Sequence, residues 1–173
     1  IGSGGMIVMD EDDCMVAMAQ FYLGFTVEES CGKCSPCRIG NKRLFEILNK
    51  ITSGKGTEED LRKIRDLGQV IKDTSLCGLG QTSPNPVLST LDNFYDEYVA
   101  HVTEQRCPAH QCRDLTVYYI NPKKCTGCTL CAHVCPVHAI VGERKATHII
   151  DPNICIRCGS CLEKCRFGAI YVY

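Results

Sequence analysis

The sequence predicts an α+β protein in two parts: a helical bundle over residues 10–100 and, past a linker, a module of short strands over residues 115–173. Three observations carry this expectation. Apolar residues recur at intervals of three to four through the first part, the period of a helix face. The last third repeats itself at an offset of 30 residues. Fifteen of the 173 residues are cysteine, most of them with two or three residues between one and the next.

The helices follow from caps and stripes. Asp10 to Asp13 offer caps for a first helix through Met15, Met18, Ala19 and Tyr22, ending near Gly24. A second follows a cysteine loop, with Leu44, Ile47, Leu48 and Ile51 on one face, and Ser53-Gly54-Lys55-Gly56 breaks it. Thr57 and Asp60 form a capping-box variant that opens a third, carrying Leu61, Ile64, Leu67 and Ile71. Pro84-Asn85-Pro86 introduces a fourth with Leu88, Leu91, Tyr95 and Tyr98. Such stripes are core faces, here of four short helices packed as a bundle.

In the repeat, Ile120-Asn121-Pro122-Lys123-Lys124-Cys125 aligns with Ile150-Asp151-Pro152-Asn153-Ile154-Cys155, and Cys135 to Ile140 aligns with Cys165 to Ile170. Each half reads as a strand, a cysteine loop, one or two helical turns and a closing strand. The β-branched and aromatic runs put strands at 116–120, 139–141, 148–150 and 169–172. Residues 101–114 fit neither period and read as the linker. Residues 1–9 read as the tail of a preceding domain, since the chain opens on Ile1-Gly2-Ser3-Gly4-Gly5 without Met, basic segment or apolar stretch. That short glycine run is no dinucleotide-binding fingerprint.

Composition narrows the function. A net charge of −1 supplies no basic stripe for nucleic acid, and no apolar run nears the roughly 20 residues of a membrane span. Cysteines this regularly spaced suit metal ligation better than dispersed disulfides, and ligand thiolates imply a reducing compartment, the cytoplasm. No catalytic triad or separated carboxylate pair stands out, so no catalytic residue is assigned. Lys33, Arg38, Arg157 and Lys164 beside the motifs are mostly solvated surface, His138 a turn residue, and His133 a candidate donor to a cluster sulfide.

Cys125-x2-Cys128-x2-Cys131-x3-Cys135-Pro136 and Cys155-x2-Cys158-x2-Cys161-x3-Cys165 have the bacterial ferredoxin spacing. Three thiolates two residues apart reach three corners of one cube; the fourth, on the following turn, points the other way. Residues 115–173 thus resemble the two-cluster 4Fe–4S ferredoxins, in which that fourth Cys serves the other cluster. One cluster is expected on Cys125, Cys128, Cys131 and Cys165, the other on Cys155, Cys158, Cys161 and Cys135. Gly127 and Gly159 would let backbone N–H groups approach the sulfides. Arg166 departs from the Pro usual after the fourth Cys and adds positive charge near a cluster.

A third set stands in Ser30-Cys31-Gly32-Lys33-Cys34-Ser35-Pro36-Cys37-Arg38-Ile39-Gly40, again with two-residue spacing. Cys77, in Ser75-Leu76-Cys77-Gly78-Leu79-Gly80, is the isolated cysteine that a bundle would bring back as fourth ligand. This stretch resembles the iron–sulfur domain of the flavin-bearing, NADH-oxidising subunit of respiratory complex I and of the β subunits of multisubunit, NAD-linked iron-only hydrogenases, electron-bifurcating ones among them. The appended two-cluster module favours the hydrogenase side. The resemblance implies FMN and NAD(H) in a part of the parent chain absent here. It also implies as partners a hydrogenase catalytic subunit, a thioredoxin-like iron–sulfur subunit and a soluble ferredoxin. The expected role is single-electron relay between the flavin and another redox subunit. NADP-reducing, formate-dehydrogenase-linked and complex I-like parents are alternatives, and a non-redox zinc scaffold is the alternative of another class.

Twelve cysteines are then used, leaving Cys14, Cys107 and Cys112. With His101 they make the three-Cys, one-His set usual for structural zinc, His110 being the reserve for His101. Buried free thiols are the plain alternative.

Overall fold

A computed structural model describes residues 7–173; the glycine run at 2–5 and most of the expected tail lie outside the described residues. The chain forms two compact units, one ending at Leu115 and one running from Thr116 to Tyr173. No helix among the described residues is long and apolar enough to cross a membrane.

In the first unit, α1 (Met15–Glu28) packs on α2 (Asn41–Thr52), with α3 (Glu58–Thr74) and α5 (Asn85–Asn93) completing the bundle. Its core is made by Val16, Ala19, Leu23, Leu44, Leu48, Ile51, Ile64, Ile71 and Leu91. The Thr57 box is present, with Thr57 and Asp60 each satisfying the other's backbone N–H. Lys50 adds an ion pair to the Asp60 carboxylate at 2.5 Å, and that carboxylate stays below its ordinary range. Burial opposes this ionisation, but Lys50 and Thr57 outweigh it.

Three expectations need correction. The cap of α1 is Cys14, whose sulfur accepts from the Ala17 N–H; Asp10 to Asp13 bond among themselves in a preceding turn. Helix α1 also runs past Gly24 to Glu28, because Gly24 faces the Phe45 ring, where a Cβ would sit 3.2 Å away. The glycine there serves close helix packing, so it does not end the helix. Finally, the fourth helix is broken. Phe94 (φ −127°, ψ 39°) interrupts it, α6 (Tyr95–Val99) restarts it, and a π-turn (Ala100–Glu104) finishes it. The break rotates the buried stripe, so Val87 and Tyr98 are buried while Tyr95 is exposed. A short α4 (Gly78–Thr82) precedes it. Residues 105–115 pack back into this unit, with Cys107, Cys112 and Leu115 in its core.

The second unit has β1 (Tyr118–Ile120), α7 (Leu130–Val134), β2 (Ile140–Val141), β3 (Ile149–Ile150), α8 (Ser160–Lys164) and β4 (Ile170–Val172). Pairing is antiparallel and exchanged between the halves: β1 with β4, and β2 with β3. The exchange is symmetric to the hydrogen bond, Asn121 N–H donating to Ala169 O at 2.7 Å and Asp151 N–H to Ala139 O at 2.8 Å.

Each cysteine loop needs left-handed backbone at two positions, residues 127 and 129 in the first and 157 and 159 in the second. One of each pair is glycine, and the other, Thr129 or Arg157, carries the strain. At Gly127 a Cβ would lie 2.5–2.6 Å from the Lys145–Ala146 backbone; at Gly159 it would meet only the Tyr118 hydroxyl, at 3.2 Å. We therefore expect Gly127→Ala to destabilise the second unit by about 2 kcal/mol or more, and Gly159→Ala by roughly 1. Denaturation midpoints of the two variants measure this, and equal midpoints would contradict it.

Candidate metal centres

The exchanged pairing brings the cysteines of the second unit into two groups. One cavity is lined by Cys125, Cys128, Cys131 and Cys165. Another is lined by Cys155, Cys158, Cys161 and Cys135. Each collects three sulfurs from its own loop and the fourth from the other half. The fourth cysteines are held alike: Ala139 N–H donates to Cys135 Sγ at 3.2 Å and Ala169 N–H to Cys165 Sγ at 3.3 Å.

Burial pushes the Cys131 thiol up, and pushes Cys161 up to about 11 with Cys155 adding to the effect. Tyr118, on the wall of the second cavity, is raised by burial and then by the charges of Cys161, Cys158 and Cys155. A cation bound among such thiols would favour their ionised, ligating form.

In the first unit a π-turn (Pro36–Gly40) carries Cys37 into a buried position ahead of α2. Ser30 Oγ lies 3.3 Å from its sulfur, and Asn41 Nδ2 donates to it at 3.5 Å. Asn41 is fully buried and also accepts from Ser83 Oγ at 2.8 Å, so it ties the turn to the end of α4. The Cys34 thiol is lowered by the Leu76 backbone N–H and then by that of Cys37. Leu76 immediately precedes Cys77, which heads α4. A Cβ on Gly80 of that helix would meet Ser75 at 2.6 Å and Cys37 at 3.1 Å. The Cys31, Cys34 and Cys37 loop and the Cys77 segment are thus neighbours.

Two buried side-chain polar atoms among the described residues have no partner in the protein: Ser75 Oγ and His148 Nε2. One lies beside Cys37 across Gly80, the other belongs to a residue lining the cavity of Cys125, Cys128, Cys131 and Cys165. Orphan polar atoms beside sulfur-lined spaces fit a bound group that offers them partners.

The remaining cysteines meet at the ends of α1 and of the 100–115 segment. Cys14, His101, Cys107 and Cys112 are all buried, and their ligand atoms lie within 4.8 Å of one another, the one such set among the described residues. His101 Nε2 is 3.3 Å from both Cys14 Sγ and Cys112 Sγ, and those sulfurs are 3.7 Å apart. His101 Nδ1 donates to the Glu97 carbonyl at 2.7 Å. That bond holds the ring with Nε2 as the nitrogen facing the sulfurs, the orientation of histidines that bind metal.

Among these four side chains the charges polarise one another. Burial lowers the His101 imidazole, but bonds to Cys107 and Cys14 win and raise it to about 10. Cys107 is driven down by bonds from Cys112 and Cys14, whereas Cys112, the donor, is driven up. His110 is exposed and outside the set.

Two family models match. Residues 17–101 match the NADH-ubiquinone oxidoreductase-F iron–sulfur binding region, and residues 124–170 match the 4Fe–4S dicluster domain. The chain is therefore an iron–sulfur electron-transfer region. Its first unit belongs to the NADH-ubiquinone oxidoreductase-F iron–sulfur binding family and its second to the 4Fe–4S dicluster family. It is 61 % identical to the NADP-reducing hydrogenase subunit HndC of Solidesulfovibrio fructosivorans over 98 % of this chain and 35 % of that one. Against the NADH-quinone oxidoreductase F-chain of Mycobacterium bovis it is 38 % identical over 62 % of this chain and 24 % of that one. The crystal structure of an NAD+-reducing [NiFe]-hydrogenase in the H2-reduced state aligns with TM-score 0.53 and 30 % identity, over 56 % of this chain and 16 % of that one. The chain thus spans about a third or less of these relatives.

Sequence reasoning placed its histidine donor at His133, which is exposed on α7 and lines neither cavity. It passed over His148 and Asn41. The repeat held a signal for the first, since His148 aligns with Tyr118 and each lines one cavity. Asn41 gave none, looking like any polar residue at a helix start.

Asn41→Ala would leave Ser83 and Cys37 without their buried partner, at a cost of about 1–3 kcal/mol. The helical signal of the first unit should melt correspondingly earlier; an unshifted midpoint would show that Asn41 is not the tie.

Proposed function

We propose that the chain relays single electrons through three 4Fe–4S clusters. Their ligands are Cys31, Cys34, Cys37 and Cys77; Cys125, Cys128, Cys131 and Cys165; and Cys155, Cys158, Cys161 and Cys135. The observation that carries this is the pair of cavities, each drawing three cysteines from one loop and one from the other half of the repeat. When bound, a cubane cluster exchanges one electron at little structural cost because the charge spreads over its metal and sulfide. The residues of this chain hold it, donate backbone N–H groups to its thiolates and shield it with Tyr118, Ile120, Ile150 and Ile170.

The parent complex is proposed to be of hydrogenase type, with a flavin and a nicotinamide held outside these 173 residues and other redox subunits as partners, in the cytoplasm. The match to the NADP-reducing hydrogenase subunit runs through both units, whereas the complex I-type match covers 62 % of the chain, and this favours the hydrogenase side. We further propose that Cys14, His101, Cys107 and Cys112 hold one zinc ion, which would fasten the segment after α6 to the head of α1. Their mutual approach within 4.8 Å and the Nδ1 bond that turns His101 Nε2 toward the sulfurs support it.

Metal analysis of anaerobically prepared protein should give about 12 Fe and 12 sulfide, with about 1 Zn, per chain. The protein should be brown and bleach with dithionite. Cys77→Ser should cost about 4 Fe and spare the clusters of the second unit; His101→Ala should release the zinc alone. A colourless, zinc-rich protein would replace the relay by a scaffold. Iron near 8 would remove the helical-unit cluster.

A further inference from the structure

Among the buried groups that the relay does not use, His148 is the most constrained. It is 1 % exposed and sits immediately before β3. Its Nδ1 lies 3.1 Å from the Ala146 carbonyl. Gly142 closes over the ring, where any Cβ would fall 2.7 Å from the imidazole Cγ and 2.9 Å from the His148 Cα. The ring is therefore locked by its carbonyl and by the glycine backbone. It lines the cavity of Cys125, Cys128, Cys131 and Cys165, yet Nε2 finds no partner in the protein. A buried ring nitrogen left alone is destabilising unless a bound group satisfies it.

We propose that His148 donates a hydrogen bond from Nε2 to a sulfur of the cluster on Cys125, Cys128, Cys131 and Cys165, and so holds that cluster at a higher potential than its neighbour in the same unit. This rests on the ligand reading above. The Ala146 carbonyl and the cluster sulfurs are all acceptors. An N–H at Nε2 facing those sulfurs would satisfy the one ring nitrogen that the protein leaves without a partner. A donor aimed at cluster sulfur stabilises the more negative, reduced state, and hydrogen bonds to the sulfurs are among the determinants of cluster potential. The other half of the repeat supplies the contrast. There the aligned residue is Tyr118, whose hydroxyl lies toward Gly159, and its cavity contains no histidine.

The test uses the anaerobically prepared 173-residue chain, labelled with 15N-histidine. In dithionite-reduced protein, electron–nuclear double resonance should detect a histidine 15N and an exchangeable proton coupled to a cluster. His148→Phe should abolish both signals, and His133→Gln should leave them. In a redox titration followed by electron paramagnetic resonance, His148→Phe should move one reduction step to more negative potential and leave the others. His148→Gln, which keeps an N–H, should move it less. An iron-loaded wild-type protein without the 15N coupling, or a His148→Phe protein with every step unmoved, overturns the proposal while sparing the clusters. A second unit without iron would remove the cluster reading and this proposal together. If His148→Phe fails to hold its iron, the wild-type coupling decides alone.

Discussion

A buried thiolate is costly unless a cation meets it, and both units are built around that constraint. Cys14, Cys107 and Cys112 belong to the apolar core of the first unit, and Cys131, Cys135 and Cys161 to that of the second. In a protein of this size those positions would ordinarily hold branched aliphatic side chains. Burial raises Cys131 and Cys161, so without metal these groups stay neutral and pack as small, weak hydrophobes. On the proposed reading the metal converts them to ligands, and the binding energy becomes folding energy for a second unit too small to bury much surface.

The exchange between the halves of the second unit follows from the same economy. A two- or three-residue strand has no stability alone, and each finds its partner in the other half. The exchange that pairs β1 with β4 also delivers Cys165 to the first loop, and the β2–β3 pair does the same for Cys135 and the second. Strand pairing and the grouping of sulfurs are one geometric event, so neither half can form its cavity by itself.

Most of this was legible because ligand spacing and repetition are local properties. The two loops, the four strands and the Thr57 capping box could be read residue by residue. So could the Cys14, His101, Cys107 and Cys112 set, from a count of leftover ligands and the expectation that a bundle returns its ends to one place. What escaped depends on packing between elements. Gly24 looked like a helix end because its role is set by Phe45 on another helix. The break at Phe94 has no proline or glycine to announce it, and it takes Tyr95 out of the buried stripe while Tyr98 stays in it. The acidic run at 10–13 looked like the natural cap, but a sulfur one residue later took that place. Residues 101–114 lacked periodicity because a cluster of ligand-type side chains, and no apolar stripe, holds them against the core.

The near-symmetry of the second unit makes its departures informative. Arg157 replaces Gly127 in the aligned loop, Arg166 replaces Pro136, and His148 replaces Tyr118. On charge alone the two arginines are the conspicuous candidates for making the clusters unequal. Arg166 is exposed, however, and Arg157 is half-buried on the loop surface. Water and salt weaken a surface charge to about 1 kcal/mol or less per contact. His148 is buried, locked from two sides and on the cavity wall itself. A donor in that low-dielectric setting acts at nearly its full strength. The weight of the asymmetry therefore shifts from the charges visible on the surface to one buried ring, and with it the side of the module on which an electron comes to rest.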